Sequence, residues 1–133
     1  MDWKIEVVQI PVSDIDRAKH FYSEQVGFQV DVDDSSSGAM RFVQLTPPGS
    51  GCSISLSSGF HTMAPGSMQG VQLVVDDVDA ARTQLVERGV EVSPVRNFTN
   101  GAWCDGRGGP WNSFIFFSDP DGNSWVVQER PRG

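Results

Sequence analysis

The chain has 133 residues, 38% of them apolar, enough for one domain over residues 1–133 with its own core and no disulfide or metal staples. A net charge of −7, with ten Lys and Arg scattered along the sequence, supplies no basic stripe and argues against nucleic acid or anionic lipid as a partner. Met1-Asp2-Trp3-Lys4 leads directly into a strand-like segment instead of a signal peptide, and no apolar run approaches the roughly 18 residues of a membrane span, so a cytoplasmic protein is expected.

In chain order, an apolar strand reaches Ile10 and is followed by Asp14 and Asp16, acidic residues suited to cap a helix start and to complement its dipole. Ile15, Ala18, Phe21 and Tyr22 follow helical spacing with one buried face, and Gly27 fits the left-handed position that ends a helix. Strands are expected at Gln29 to Val32, Met40 to Thr46 and Ser53 to Ser57, divided by Asp33 to Gly38 and by the turn Pro47 to Gly51. Phe60 to Gln69, with two Met, Pro65 and Gly66, reads as a connector. The pattern then begins again. A strand ends at Val75, Asp77 and Asp79 precede a helical run with Val78, Ala81, Leu85 and Val86 on one face, and Gly89 closes it. Strands are expected at Glu91 to Val95, Phe114 to Ser118 and Ser124 to Gln128, the last two joined by Asp119-Pro-Asp-Gly122.

The two halves are a duplication, offset by 63 residues between Asp14 and Asp77. Each reads as βαβββ, with modules at residues 4–59 and 70–130 and the connector at 60–69. A four-stranded sheet covered by one helix leaves its other face bare. The fold class expected is therefore α+β: two βαβββ modules in tandem forming a cleft-shaped half-open barrel, helices outside.

Val12-Ser-Asp14-Ile-Asp16-Arg-Ala18 with Phe21-Tyr22, then Gly27-Phe28, then Asp77-Val-Asp79-Ala-Ala81 with Gly89-Val90, and lastly Asp119-Pro-Asp-Gly122-Asn-Ser-Trp occur in that order over nearly the whole chain. In this the sequence resembles the vicinal-oxygen-chelate superfamily of glyoxalases, bleomycin-resistance proteins and extradiol dioxygenases. The resemblance implies a homodimer, and in metal-dependent members a divalent cation held by His, Gln or Glu. Carried onto this sequence, the ligand positions fall on Val7, Ser55, Gly70 (or Val71) and Val126. Only Ser55 among them has a side-chain lone pair, where such sites use about three N, O or S ligands. No metal and no cofactor are therefore expected.

If those positions line a cleft, alternation places Gln9, Ser53, Ser57, Gln72, Val74, Ser124 and Gln128 on the same faces, and Val8, Ile10, Val12, Ile54, Leu56, Val71, Leu73, Val75, Trp125 and Val127 on the opposite, helix-facing ones. Gln9, Ser55, Gln72 and Gln128 would offer neutral hydrogen-bonding groups to a ligand. Phe98 to Asn112, with four glycines, two tryptophans and Arg107, reads as a mobile loop that closes over an aromatic or planar ligand through Trp103, Trp111 and Arg107. Phe116, on the strand from Phe114, is taken as a further contact.

Catalytic patterns are thin. His61 is a candidate general base and Asp105 with Arg107 a candidate polarising pair, but no nucleophile and base are paired by sequence. His20 reads as a structural or surface residue, Tyr22 as core, and Cys52 and Cys104 as free thiols. The function expected is a metal-independent small-molecule binding protein with an aromatic ligand; the alternatives are a metal-free enzyme acting on an aromatic or polyketide-like compound, and a metal-dependent lyase or dioxygenase that the ligand positions disfavour. The choice between binding and catalysis is left to the site.

Overall fold

The computed structural model describes residues 1–37, 40–57 and 62–131, so Phe60 and His61 of the expected connector lie outside the described residues. The chain divides into two compact units: residues 1–68 with Asp119–Asn123, and residues 69–118 with 124 onwards.

In the first unit β1 (Val7–Gln9) is followed by α1 (Ile15–His20), which widens into a π-helical segment, Phe21–Val26. Strands β2 (Gln29–Ser37), β3 (Met40–Thr46) and β4 (Ser53–Ser57) complete it. The sheet order is β1-β4-β3-β2, with β1 parallel to β4 and the other pairs antiparallel. Asp14 caps α1 as its sequence position predicts: the carboxylate accepts from the Arg17 backbone N–H at 3.1 Å, an interaction typically worth about 1 kcal/mol. Gly27 ends the helical run at φ +94°, its N–H donating to the Tyr22 carbonyl. Ile10, Ala18, Phe21, Tyr22, Phe28, Val43, Leu45, Ile54 and Leu56 are the buried apolar residues of this unit.

The second unit repeats the plan. It holds β5 (Val71–Val75), α2 (Val78–Glu87), β6 (Arg96–Thr99), β7 (Ala102–Asp105), β8 (Phe114–Ser118) and β9 (Ser124–Glu129) in the sheet order β5-β9-β8-β6-β7. Asp77 caps α2 through the Ala80 N–H at 3.0 Å, the counterpart of Asp14. Strands β8 and β9 alternate as expected: Ile115, Phe117, Trp125 and Val127 are buried against α2, with the Phe117 and Trp125 rings stacked at 6.0 Å. Two βαβββ modules in tandem therefore account for the α+β fold, and β7 is an addition at the edge of the second sheet.

Four local expectations change, the first being that β2 continues through Asp33 to Ser37, residues expected to divide it from β3. The strand expected at Glu91 to Val95 is reduced to one bridge, Val92 to Phe117, and β6 begins only at Arg96. Pro94 breaks the run, since it has no N–H to give a ladder. Half of the expected loop from Phe98 to Asn112 is the β6–β7 hairpin, turning at Asn100-Gly101, both in the left-handed region that short hairpin loops require. The helix face expected to include Val86 buries Val78 and Leu85 but leaves Val86 exposed.

The turn Asp119–Asn123 joins β8 to β9, yet its contacts lie in the first unit. Tyr22 donates its hydroxyl to Asp119 Oδ2 at 2.7 Å, in the interior. Asn123 donates to the Pro11 carbonyl and to Asp119 and accepts from the Met68 N–H. Ser13 binds both oxygens of Asp121 through its N–H and its hydroxyl. Asp119 and Asn123 are thus buried polar groups satisfied within the first unit, as buried polar groups must be, and Asp121 adds bonds at its surface.

Candidate functional site

The site builds up on the face of the second sheet opposite α2. Alternation turns Phe114 and Phe116 of β8 and Val126 of β9 to that face, and the in-register pair Phe98 and Trp103 extends it across the β6–β7 hairpin. Gln72 of β5 stands beside Val126, its partner in the ladder. These six residues line a recess of about 370 Å³. That volume falls within the ~300–1,000 Å³ of small-molecule sites.

Trp103 organises the recess. Its ring stands edge-to-face against Phe98 at 5.2 Å, Phe114 at 5.3 Å and Phe116 at 5.1 Å, the last two nearly perpendicular to it. Phe114 and Phe116 lie almost parallel to each other at 6.5 Å. Such geometry matches positive ring edges to negative faces and fixes the indole. Trp103 is nevertheless 48% exposed and Phe98 likewise, which leaves their outer surfaces open to a further apolar partner.

One polar relay borders the aromatic surface. Gln128 donates to the Trp111 backbone carbonyl at 2.7 Å, and Gln72 donates to Gln128 Oε1 at 2.6 Å. Each amide orients the next. Gln72 Oε1 accepts no hydrogen bond from the described residues, so it remains an acceptor at the rim.

Among the eight expected site residues, Gln72, Trp103 and Phe116 line the recess, and Gln128 and Trp111 belong to the relay, Trp111 through its carbonyl. Arg107 is placed elsewhere. Its guanidinium pairs with Asp79 at 2.7 Å and with Glu129, whose other oxygen accepts from the Val78 N–H at the start of α2. Glu129 above all holds the Arg107 pKa above its ordinary value. Arg107 thereby anchors the loop after β7 to the α2 terminus, and Asn112 pins the same loop by donating to and accepting from the Phe98 backbone.

Gln9 and Ser55 lie in the first unit, in register on β1 and β4, with Gln44 of β3 on the other side of Ser55. Gln9 accepts from the Ser57 hydroxyl at 3.1 Å, while the fully buried Ser55 hydroxyl has no protein partner among the described residues. Phe98 and Phe114 were not singled out as contacts from sequence. Phe114 is two residues from Phe116 and shares its face, so alternation could have found it; Phe98 needed the hairpin register.

The four positions where a cation would be held do not fit one. Val7 is an apolar residue on β1, Ser55 offers one hydroxyl, Gly70 carries no side chain, and Val126 is part of the apolar lining. Among the described residues no group of three or more His, Cys, Asp or Glu could share a metal ion. Both cysteines are free, Cys52 half-buried and Cys104 exposed, and His20 is exposed at the end of α1. None of the six lining residues is a titratable acid, base or nucleophile.

Residues 4–127 match the family model described as the glyoxalase/bleomycin resistance protein/dioxygenase superfamily. Among solved structures, the chain is similar to TnmS3, an antibiotic binding protein from Streptomyces sp. CB03234, at 38% identity and a TM-score of 0.78, covering 97% of each chain. A glyoxalase/bleomycin resistance protein from the same organism is 39% identical at a TM-score of 0.74, covering 94% of this chain and 99% of that one. The Bacillus subtilis protein YetH is 25% identical over 129 residues, 95% of this chain and 98% of its own.

Proposed function

Because this chain belongs to the glyoxalase/bleomycin resistance protein/dioxygenase superfamily, yet offers only the Ser55 hydroxyl among the four positions that correspond to cation ligands in metal-dependent members, we propose that it is a metal-independent small-molecule binding protein. Its ligand is a flat aromatic compound seated against Trp103, Phe114 and Phe116, with a hydroxyl or N–H directed to Gln72 Oε1. The reading places the protein in the cytoplasm as a homodimer. The observation that carries it is the half-open aromatic recess, lined by one neutral amide and otherwise apolar groups. Such a lining can hold and orient a ligand but has no group to move a proton or attack a bond. Similarity to an antibiotic binding protein at 38% identity supports the same reading.

The test is calorimetric titration of the full chain, after dialysis against EDTA, with daunorubicin as a planar aromatic antibiotic and streptomycin as a non-aromatic control. Micromolar binding of the first alone, with the ligand recovered at unchanged mass after overnight incubation, is expected. Binding that returns only on adding Zn, Ni, Mn or Fe(II) would refute metal independence. A changed ligand mass would make the protein an enzyme.

A further inference from the structure

A glutamine side chain is ambivalent, because its amide carries a donor and an acceptor of similar shape and can turn either end to a ligand. Gln72, the one amide lining the recess, does not have that freedom. It lies on β5 opposite Val126 of β9, so Gln128, two residues further on the same face, is its diagonal neighbour and within reach of its side chain. Gln128 Nε2 donates to the Trp111 carbonyl at 2.7 Å. A backbone carbonyl only accepts, so Gln128 must offer Oε1 on its other side. Gln72 Nε2 donates to that oxygen at 2.6 Å, which leaves Gln72 Oε1 as the end presented to a ligand.

The start of this relay is held in place. Trp111 has φ +65°, a left-handed backbone uncommon for a bulky residue, which persists only where the surroundings impose it. Its carbonyl shares one peptide plane with the Asn112 N–H, and that N–H donates to the Gly109 carbonyl at 3.1 Å. The Asn112 side chain bonds the Phe98 backbone in both senses, and Arg107 ties the same loop to Asp79 and Glu129. Turning the Trp111 carbonyl away from Gln128 would break that frame.

We propose that the Trp111 carbonyl, acting through Gln128, sets which ligands the recess takes: flat aromatic compounds with a hydrogen-bond donor at the Gln72 edge are bound, and those with only an acceptor there are rejected. Gln128 is a positioning residue, since it does not itself line the recess. An acceptor against Gln72 Oε1 leaves two oxygens facing each other without a proton. Turning the Gln72 amide to meet that acceptor sets its oxygen against Gln128 Oε1 instead, so either arrangement forfeits a hydrogen bond. This inference rests on the recess of the proposed function and adds the cause of its polarity and the class of ligand it excludes.

Fluorescence anisotropy titration of the full chain tests it with two probes, 2-aminoanthracene, whose substituent donates, and 2-methoxyanthracene, whose substituent only accepts. The parent chain is expected to bind the amino probe about tenfold more tightly. Gln72→Met, of similar length without the amide, should reduce the amino probe to the affinity of the methoxy probe. Gln128→Met releases the Gln72 amide to turn, so the methoxy probe should gain affinity and the preference should fall below about threefold. Circular dichroism checks that each variant is folded. A Gln128→Met protein that weakens both probes equally and keeps the parental ratio would give Gln128 a structural role only and overturn the relay. Equal affinities of the parent for the two probes would overturn it while leaving the aromatic recess standing, whereas binding of neither would overturn recess and relay together.

Discussion

Replacing Trp103 by alanine tests the site most directly. In the free protein the indole makes three edge-to-face contacts at 5.1–5.3 Å while 48% of the residue stays exposed. A ligand covering the open half removes about 120 Å² of apolar surface from water, which at ~25 cal/mol/Å² is about 3 kcal/mol. Trp103→Ala should therefore weaken binding of an aromatic ligand roughly a hundredfold. The hairpin loses its ring contacts too, and since Trp103 is only half-covered a stability cost of about 1–2 kcal/mol is expected, with the urea m-value unchanged. Trp103→Phe keeps a smaller ring and should lose only about tenfold in affinity. Calorimetry is the assay, because removing a tryptophan alters the fluorescence signal itself. A Kd within about threefold of the parent in a folded Trp103→Ala protein would place the ligand on another surface.

Other expectations concern the frame. Asp33 is hydrogen-bonded by Arg41 and Lys19, which hold its carboxyl well below the usual carboxylate range. Its folded pKa lies below the unfolded value of about 3.9, so the stabilisation is present above about pH 4 and is lost as pH falls further. Asp33→Asn should cost about 1 kcal/mol in urea unfolding at neutral pH, allowing for solvent screening, and the gap to the parent should shrink below about pH 4. Tyr22→Phe removes the buried hydroxyl that donates to Asp119 and should cost about 1–3 kcal/mol; no loss in thermal or urea unfolding would mean that this bond is not formed. Gly66 has φ +82°, and a Cβ there would come within 2.1 Å of the Asp121 carbonyl oxygen. Gly66→Ala should accordingly cost about 2 kcal/mol or more, and an unchanged melting temperature would contradict the placement of the Asp119–Asn123 turn.

What could be read from the sequence was what is local. Asp14 and Asp77 cap their helices because a carboxylate three residues before a free N–H acts within one turn, and Gly27 ends its helix because glycine tolerates a positive φ. The alternation of β8 and β9 likewise needed only neighbours two apart to show which side chains face α2. The incompatibility of Val7, Gly70 and Val126 with a cation follows from side-chain chemistry alone. Tertiary structure decided the rest, because it depends on pairing between residues distant in the chain. Nothing near Phe98 indicates that it will lie in register with Trp103, or that the indole will reach Phe114 and Phe116. Arg107, a cation beside two tryptophans, reads as a ligand contact until Asp79 and Glu129, 28 and 22 residues away, are seen to hold it. The Asp-Pro-Asp-Gly-Asn turn reads as a common hairpin connection, and only the fold brings Asp119 to Tyr22 and Asn123 to Pro11, 97 and 112 residues apart. Short-range sterics and capping chose the elements, whereas the need to satisfy buried polar groups and aromatic edges chose their partners.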